Sequence, residues 1–96
     1  MTTESISRGT MLGGRYRLDD LLSENSGARF WRGTDTVLGR SVAVNVMPAD
    51  DPRLEGLLAA ARASARVNDS RLLRVLDCAQ NDDAGWVVNE WGAGAS

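Results

Sequence analysis

The chain has no lysine and no histidine; all 11 of its basic residues are arginine. Those two absences exclude Schiff-base lysines, a lysine on a phosphate, imidazole general bases and histidine metal ligands. A single cysteine, Cys78, excludes an internal disulfide and a multi-cysteine zinc site. No apolar run approaches the length of a membrane span, and no signal-peptide core opens the chain, so direct membrane insertion is not expected and the location reads as cytoplasmic. There is no basic excess either. Thirteen acidic residues against 11 basic leave a net charge of −2, which argues against a nucleic-acid binder needing a cationic face. What remains is an ordinary globular composition, 43% hydrophobic and 25% charged, in 96 residues. That is one small domain, close to the lower limit of what a single core stabilises.

Residues 1–14 are polar and glycine-punctuated and read as a flexible leader, its Ser and Thr residues solvated or open to phosphorylation. From Arg15 to Leu22, Tyr16 and Leu18 alternate with Arg15 and Arg17, the period of a half-buried strand. Ser23 to Gly27 has turn composition. Ala28 to Gly33 holds Phe30 and Trp31 and predicts a second strand. A connection through Gly39 leads to Ser41–Met47, where Val42, Val44 and Val46 fall on one face and Ala43, Asn45 and Met47 on the other. Asp51-Pro52 is a helix start, an N-cap followed by proline in the first turn. Leu54, Leu57, Leu58, Ala61 and Ala65 form one apolar stripe, predicting a helix to about Val67. Strands are predicted over Leu72–Ala79 and Trp86–Glu90, with a turn at Asn81–Gly85. Short links between successive strands imply antiparallel pairing, and one helix on such a sheet is α+β. Trp31 and Trp86 read as packing residues, Cys78 as a small buried hydrophobe, and Trp91 as the most exposed tryptophan.

Five fragments in order carry a resemblance. Arg32-Gly33-Thr34-Asp35-Thr36-Val37-Leu38-Gly39-Arg40 precedes Val42-Ala43-Val44-Asn45. Ala61-Arg62-Ala63-Ser64-Ala65-Arg66-Val67-Asn68 follows, then Arg74-Val75-Leu76-Asp77 and Val87-Val88-Asn89-Glu90-Trp91. Together they resemble the N-terminal lobe of a bacterial Ser/Thr protein kinase, from about Arg15 to Gly94. The resemblance implies a five-stranded antiparallel sheet with one helix between strands three and four, a domain over 15–91, and a hinge or linker at 92–96 leading toward a catalytic lobe.

The same resemblance locates a nucleotide site, and this chain departs from it. The three glycines of the family's phosphate loop fall at Ser23, Asn25 and Ala28, with Gly27 one position out of register. Side chains there obstruct the close approach of backbone amides to phosphates. The strand lysine falls at Asn45 and the helix glutamate that pairs with it falls at Ala60. Both ends of the ion pair are missing together, which avoids a lone buried charge. Phe30, Ala43, Asn89 and Trp91 complete the degenerate positions. Taken singly, Asn45 reads as a strand polar group, Ser23–Ser26 as a hairpin turn and Ala60 as helix filler; their co-occurrence at family positions favours a pseudokinase. Arg29 or Arg32 could hold a phosphate in place of the lysine, since arginine binds phosphate bidentately.

The expectation is a regulatory protein-binding module with no catalytic residue, no cofactor and no metal. The alternative is the ATP–Mg-binding lobe of a divergent active kinase, whose catalytic Asp and metal-binding motif would lie in a further lobe. The leader, Phe30-Trp31 and the hinge further resemble actinobacterial pseudokinase domains attached to MviN-type lipid II flippases. That implies forkhead-associated or kinase partners and a tether to the inner membrane in a longer protein. An uncovered cleft face also predicts a homodimer through the Trp86–Trp91 end.

Overall fold

The computed structural model describes residues 6–64 and 74–91. Its order is β1 (Met11–Leu12), β2 (Tyr16–Asn25), β3 (Ala28–Asp35), β4 (Arg40–Pro48), α1 (Leu54–Ser64), β5 (Val75–Gln80) and β6 (Ala84–Glu90). The sheet order is β1-β2-β3-β4-β6-β5 and every pairing is antiparallel. The fold is α+β as expected, but the sheet has six strands rather than five. The added strand lies in the segment expected to be a flexible leader. Met11 and Leu12 pair with Arg17 and Tyr16, and Leu12 is 2% exposed in the core. Gly13 and Gly14, both at positive φ, reverse the chain into β2. A two-residue strand is too short to show a period of two, and its burial depends on Trp86 packing against Gly13, a contact distant in sequence.

The β2–β3 turn is also tighter than its composition implied. β2 continues through Ser23, Glu24 and Asn25, and Asn25 pairs with Ala28. Only Ser26 (φ 54°) and Gly27 (φ 87°) turn the corner. Two successive positive φ values are the geometry whose twist matches paired antiparallel strands, so the strands run to the tip.

The other long hairpin, β3–β4, is organised by one carboxylate. Asp35 Oδ1 accepts from the Val37 and Leu38 amides at 3.0 and 3.2 Å, and the Arg15 guanidinium donates to both carboxylate oxygens at 2.9 and 2.8 Å. Arg15 holds the Asp35 carboxyl well below the usual carboxylate range.

α1 begins as predicted. Asp51 Oδ1 accepts from the Arg53 amide at 2.8 Å, which satisfies one of the orphan donors of the first turn. The helix is observed to Ser64; its expected extension to Val67 lies outside the described residues, as do Leu72 and Leu73 of the expected next strand. At the β5–β6 turn, Asn81 Oδ1 accepts from the Asp83 and Ala84 amides, so β6 starts two residues earlier than Trp86.

The alternation in β4 divides the core. Val42, Val44 and Val46 join Leu12, Tyr16, Leu18, Trp31, Trp86 and Val88 on one face. On the other, Leu54, Leu58 and Ala61 of α1 pack with Val87, and Met47, Val75 and Cys78 border them. Cys78 is half-buried rather than fully enclosed. Gly85 lets the helix approach, since a Cβ there would stand 2.4 Å from Leu54 Cδ1.

Candidate functional site

Residues opposite one another on neighbouring strands project to the same face. Asn45 lies opposite Phe30 on β3 and Val87 on β6, and Ser23 lies opposite Phe30. That makes one row: Ser23, Phe30, Asn45, Val87. The next row toward the hinge end is Asp20, Arg32, Ala43 and Asn89. Asn25 and Ala28 close the hairpin beyond Ser23. The structure therefore gathers seven of the nine positions, Ser23, Asn25, Ala28, Phe30, Ala43, Asn45 and Asn89, on one sheet face. Trp91 follows the end of β6 and is partly exposed.

Ala60 is not part of this group. It lies two residues after Leu58 in α1, roughly 200° around the helix from that buried side chain, and it is exposed. α1 rests on β5 and β6, with Leu54 and Leu58 on Val87. Asn45 and Ala60, related by sequence pattern, are thus not brought face to face.

The face is poor in free positive charge. Asn45 is half-buried and carries none. Arg32 stands on the Ala43 row, but its guanidinium is engaged by Asp20, with Nε donating at 3.0 Å and Nη2 closer still. Arg29 lies opposite Val46, on the other face of the sheet. There its Nε donates to Glu24 Oε2 and its Nη1 to the Ile6 carbonyl, both at 3.2 Å. Neither arginine is available to replace a lysine at position 45, so this arrangement gives the arginine substitution no support. Asn89 Nδ2 reaches the Arg74 carbonyl at 3.5 Å, a long contact that ties it toward β5. Among the described residues, no group of three acidic or cysteine side chains is placed to hold a metal.

One feature of the hairpin tip had no signal in the sequence pattern. Arg53, just before α1, donates from Nη2 to the Ser26 carbonyl at 2.6 Å. The same guanidinium donates to Asp51 through Nε at 3.0 Å and Nη2 at 2.8 Å. The paired Arg53 side chain and amide bring the Asp51 carboxyl down to about 2. The tip is therefore held from the helix side by Arg53 and from the opposite side by Arg29. Chemically, the face offers the amides of Asn25, Asn45 and Asn89, the Ser23 hydroxyl, small side chains and one aromatic ring, with no free cation among the described residues of that face to neutralise a phosphate.

No family model matches the chain. It is 38% identical over 82 residues to the DNA damage-responsive serine/threonine-protein kinase RqkA of Deinococcus radiodurans, a match covering 83% of this chain and 12% of that protein. It is 35% identical over 81 residues to the serine/threonine-protein kinase PknA of Mycobacterium tuberculosis, covering 80% of this chain and 19% of that protein. The chain thus spans less than a fifth of the length of either relative. Among solved structures, the apo form of PpkA-294 superposes with a TM-score of 0.73 at 17% identity, over 91% of this chain and 38% of that one. No helix among the described residues is long and apolar enough to cross a membrane.

Proposed function

We propose that this chain, a relative of the Ser/Thr protein kinases over their N-terminal lobe with the fold of that lobe, is a pseudokinase N-lobe that regulates through protein contacts and transfers no phosphoryl group. The observation that carries the reading is the setting of Asn45. It occupies the centre of the cleft face, and the nearest arginines are committed to Asp20 and to Glu24. A charge-assisted hydrogen bond to phosphate contributes about 1.5–3 kcal/mol, so its loss alone weakens nucleotide binding about tenfold to more than a hundredfold. The paired β2–β3 tip, with Ser23, Asn25 and Ala28 in place of loop glycines, removes the backbone cradle as well.

The partners on this reading are proteins, forkhead-associated domains or kinases. The wider setting we propose is cytoplasmic, as a regulatory domain of an actinobacterial MviN-type flippase held at the inner membrane. The isolated chain associates as a two-fold dimer. Trp86, 3% exposed on the opposite face, cannot supply that contact; Phe30, Asn45 and Trp91 are the residues left to do so.

A second reading, the ATP-binding lobe of a divergent active kinase, is favoured by the sequence identity to proteins named as kinases. Calorimetric titration with ATP–Mg separates the two. No saturable heat at millimolar nucleotide is the expected result; clear saturation in that range refutes the pseudokinase reading.

A further inference from the structure

We propose that the groove at the hairpin end of the sheet binds an extended segment of a partner protein in which an apolar side chain is flanked by arginine or lysine. The proposal names a surface for the protein-binding reading and rests on it. The groove floor is apolar: Ile6, Val46, Met47, Pro48 and Ala84. It lies at the C-terminal end of β4, and Asn45 does not line it.

The charge at its mouth is acidic and uncompensated. Glu24 and Arg29 line the groove but neutralise one another. Asp83 lines it too, and the Ala49 amide donates to the Asp83 carbonyl at 3.1 Å. That bond laces the end of β4 to the β5–β6 turn, where Asp82 adjoins Asp83 in the chain; Asp50, next to Ala49, lines a separate pocket with Asp51 and Leu54. Asp50, Asp82 and Asp83 are exposed, and none forms an ion pair among the described residues. The other nearby cation, Arg53, is committed to Asp51 and the Ser26 carbonyl. An apolar floor with the unpaired Asp83 on its lining and Asp82 beside it in the turn complements an apolar side chain carried next to cations.

A second copy of the chain is the weaker occupant. Val37 and Leu38, 67% and 57% exposed, precede Arg40 and have the same chemistry. They sit, however, in the β3–β4 turn at the far end of β4. Copies joined tail to head through these two sites make a heterologous contact, with no two-fold closure.

The test is fluorescence anisotropy with a fluorescein-labelled peptide, acetyl-Gly-Arg-Leu-Arg-Arg-Gly-amide, titrated with the intact chain. Saturable binding is expected, weakened by salt and by at least about tenfold in the double variant Asp82→Arg/Asp83→Arg. These two side chains make no contact that folding needs, because the turn is held by Asn81 and backbone amides. A probe with serine in place of leucine should lose binding. No saturation up to millimolar chain, equal affinity of the charge-swapped variant, or equal binding of the serine probe each overturns the proposal. So does a light-scattering mass that rises with concentration and returns to monomer in the same variant, because it would make the occupant a second copy. ATP–Mg is titrated in parallel: peptide failure with nucleotide still absent overturns this surface alone, whereas nucleotide binding overturns the protein-binding reading.

Discussion

Replacing Asp35 by asparagine isolates one electrostatic contact. The side-chain oxygen that accepts the Val37 and Leu38 amides is kept, and the partner of Arg15 is lost. Asp35 is 1% exposed, while the Arg15 side chain is 36% exposed. Removing one member of a buried pair costs about 3–5 kcal/mol when the other charge is stranded. Here the guanidinium can recover part of its hydration, so the loss should lie lower, about 2–3 kcal/mol. A domain of this size is stable by about 5–14 kcal/mol, so the change consumes a large fraction of the total. It should lower the melting temperature by roughly 10–20 °C. Urea unfolding at neutral pH should show a lower midpoint with an unchanged slope.

The pH dependence provides a second check. Because the folded-state pKa of Asp35 is depressed below its ordinary 3.8, its contribution is complete above that value and is lost as pH falls below it. Wild type and Asp35→Asn should therefore differ most near neutrality and converge below about pH 4. Arg15→Met should cost a similar amount, and the double variant should cost little more than either single change. A loss under about 0.5 kcal/mol, or strict additivity of the two changes, would show that the pair does not anchor the β3–β4 hairpin.

Gly33→Ala should destabilise by about 1–3 kcal/mol in urea unfolding, because its Cβ would stand 2.6 Å from the Arg17 carbonyl oxygen, a backbone atom that cannot swing aside. Asn45→Lys combined with Ala60→Glu should show a coupling energy near zero in a double-mutant cycle, since Ala60 is exposed on the far side of α1; a stabilising coupling above about 1 kcal/mol would mean that the helix rotates. If the isolated chain is dimeric by light scattering, Trp91→Glu should return it to monomer mass, and an intact dimer would exclude the cleft face as the contact.

What could be read from the sequence follows from how local each signal is. The Val42–Met47 alternation, the Asp51 cap and the Leu54–Ala61 stripe depend on neighbours within one or two turns, and all three are found. The degenerate positions on β2, β3, β4 and β6 share a face because strand alternation fixes it once the pairing is known. β1 was hidden because Leu12 is buried by Tyr16 and by packing with Trp86, not by a pattern of its own. The extent of the β2–β3 strands was hidden because Ser, Glu and Asn occur equally in turns and at exposed strand ends; the positive φ values of Ser26 and Gly27 decide it. The side taken by Ala60 depends on where α1 docks, which the leucine stripe predicts only relative to the helix itself.

The absence of lysine has a counterpart in how the arginines are used. Among the described residues, five ion pairs link Arg15, Arg17, Arg29, Arg32 and Arg53 to Asp35, Asp19, Glu24, Asp20 and Asp51. Each of these five cations therefore faces a carboxylate of the same chain. A lobe that cradles phosphates must keep a cation unspent in its cleft, and when the site is empty that cation needs a counter-charge nearby. With Asn45 neutral and Ala60 turned away, the cleft face carries no such requirement. The sheet can settle with its hairpin tip fully paired and held between Arg29 and Arg53. If the chain is the protein-binding module proposed above, its stability should not rise on addition of ATP–Mg, since nothing that binds the folded state is then added.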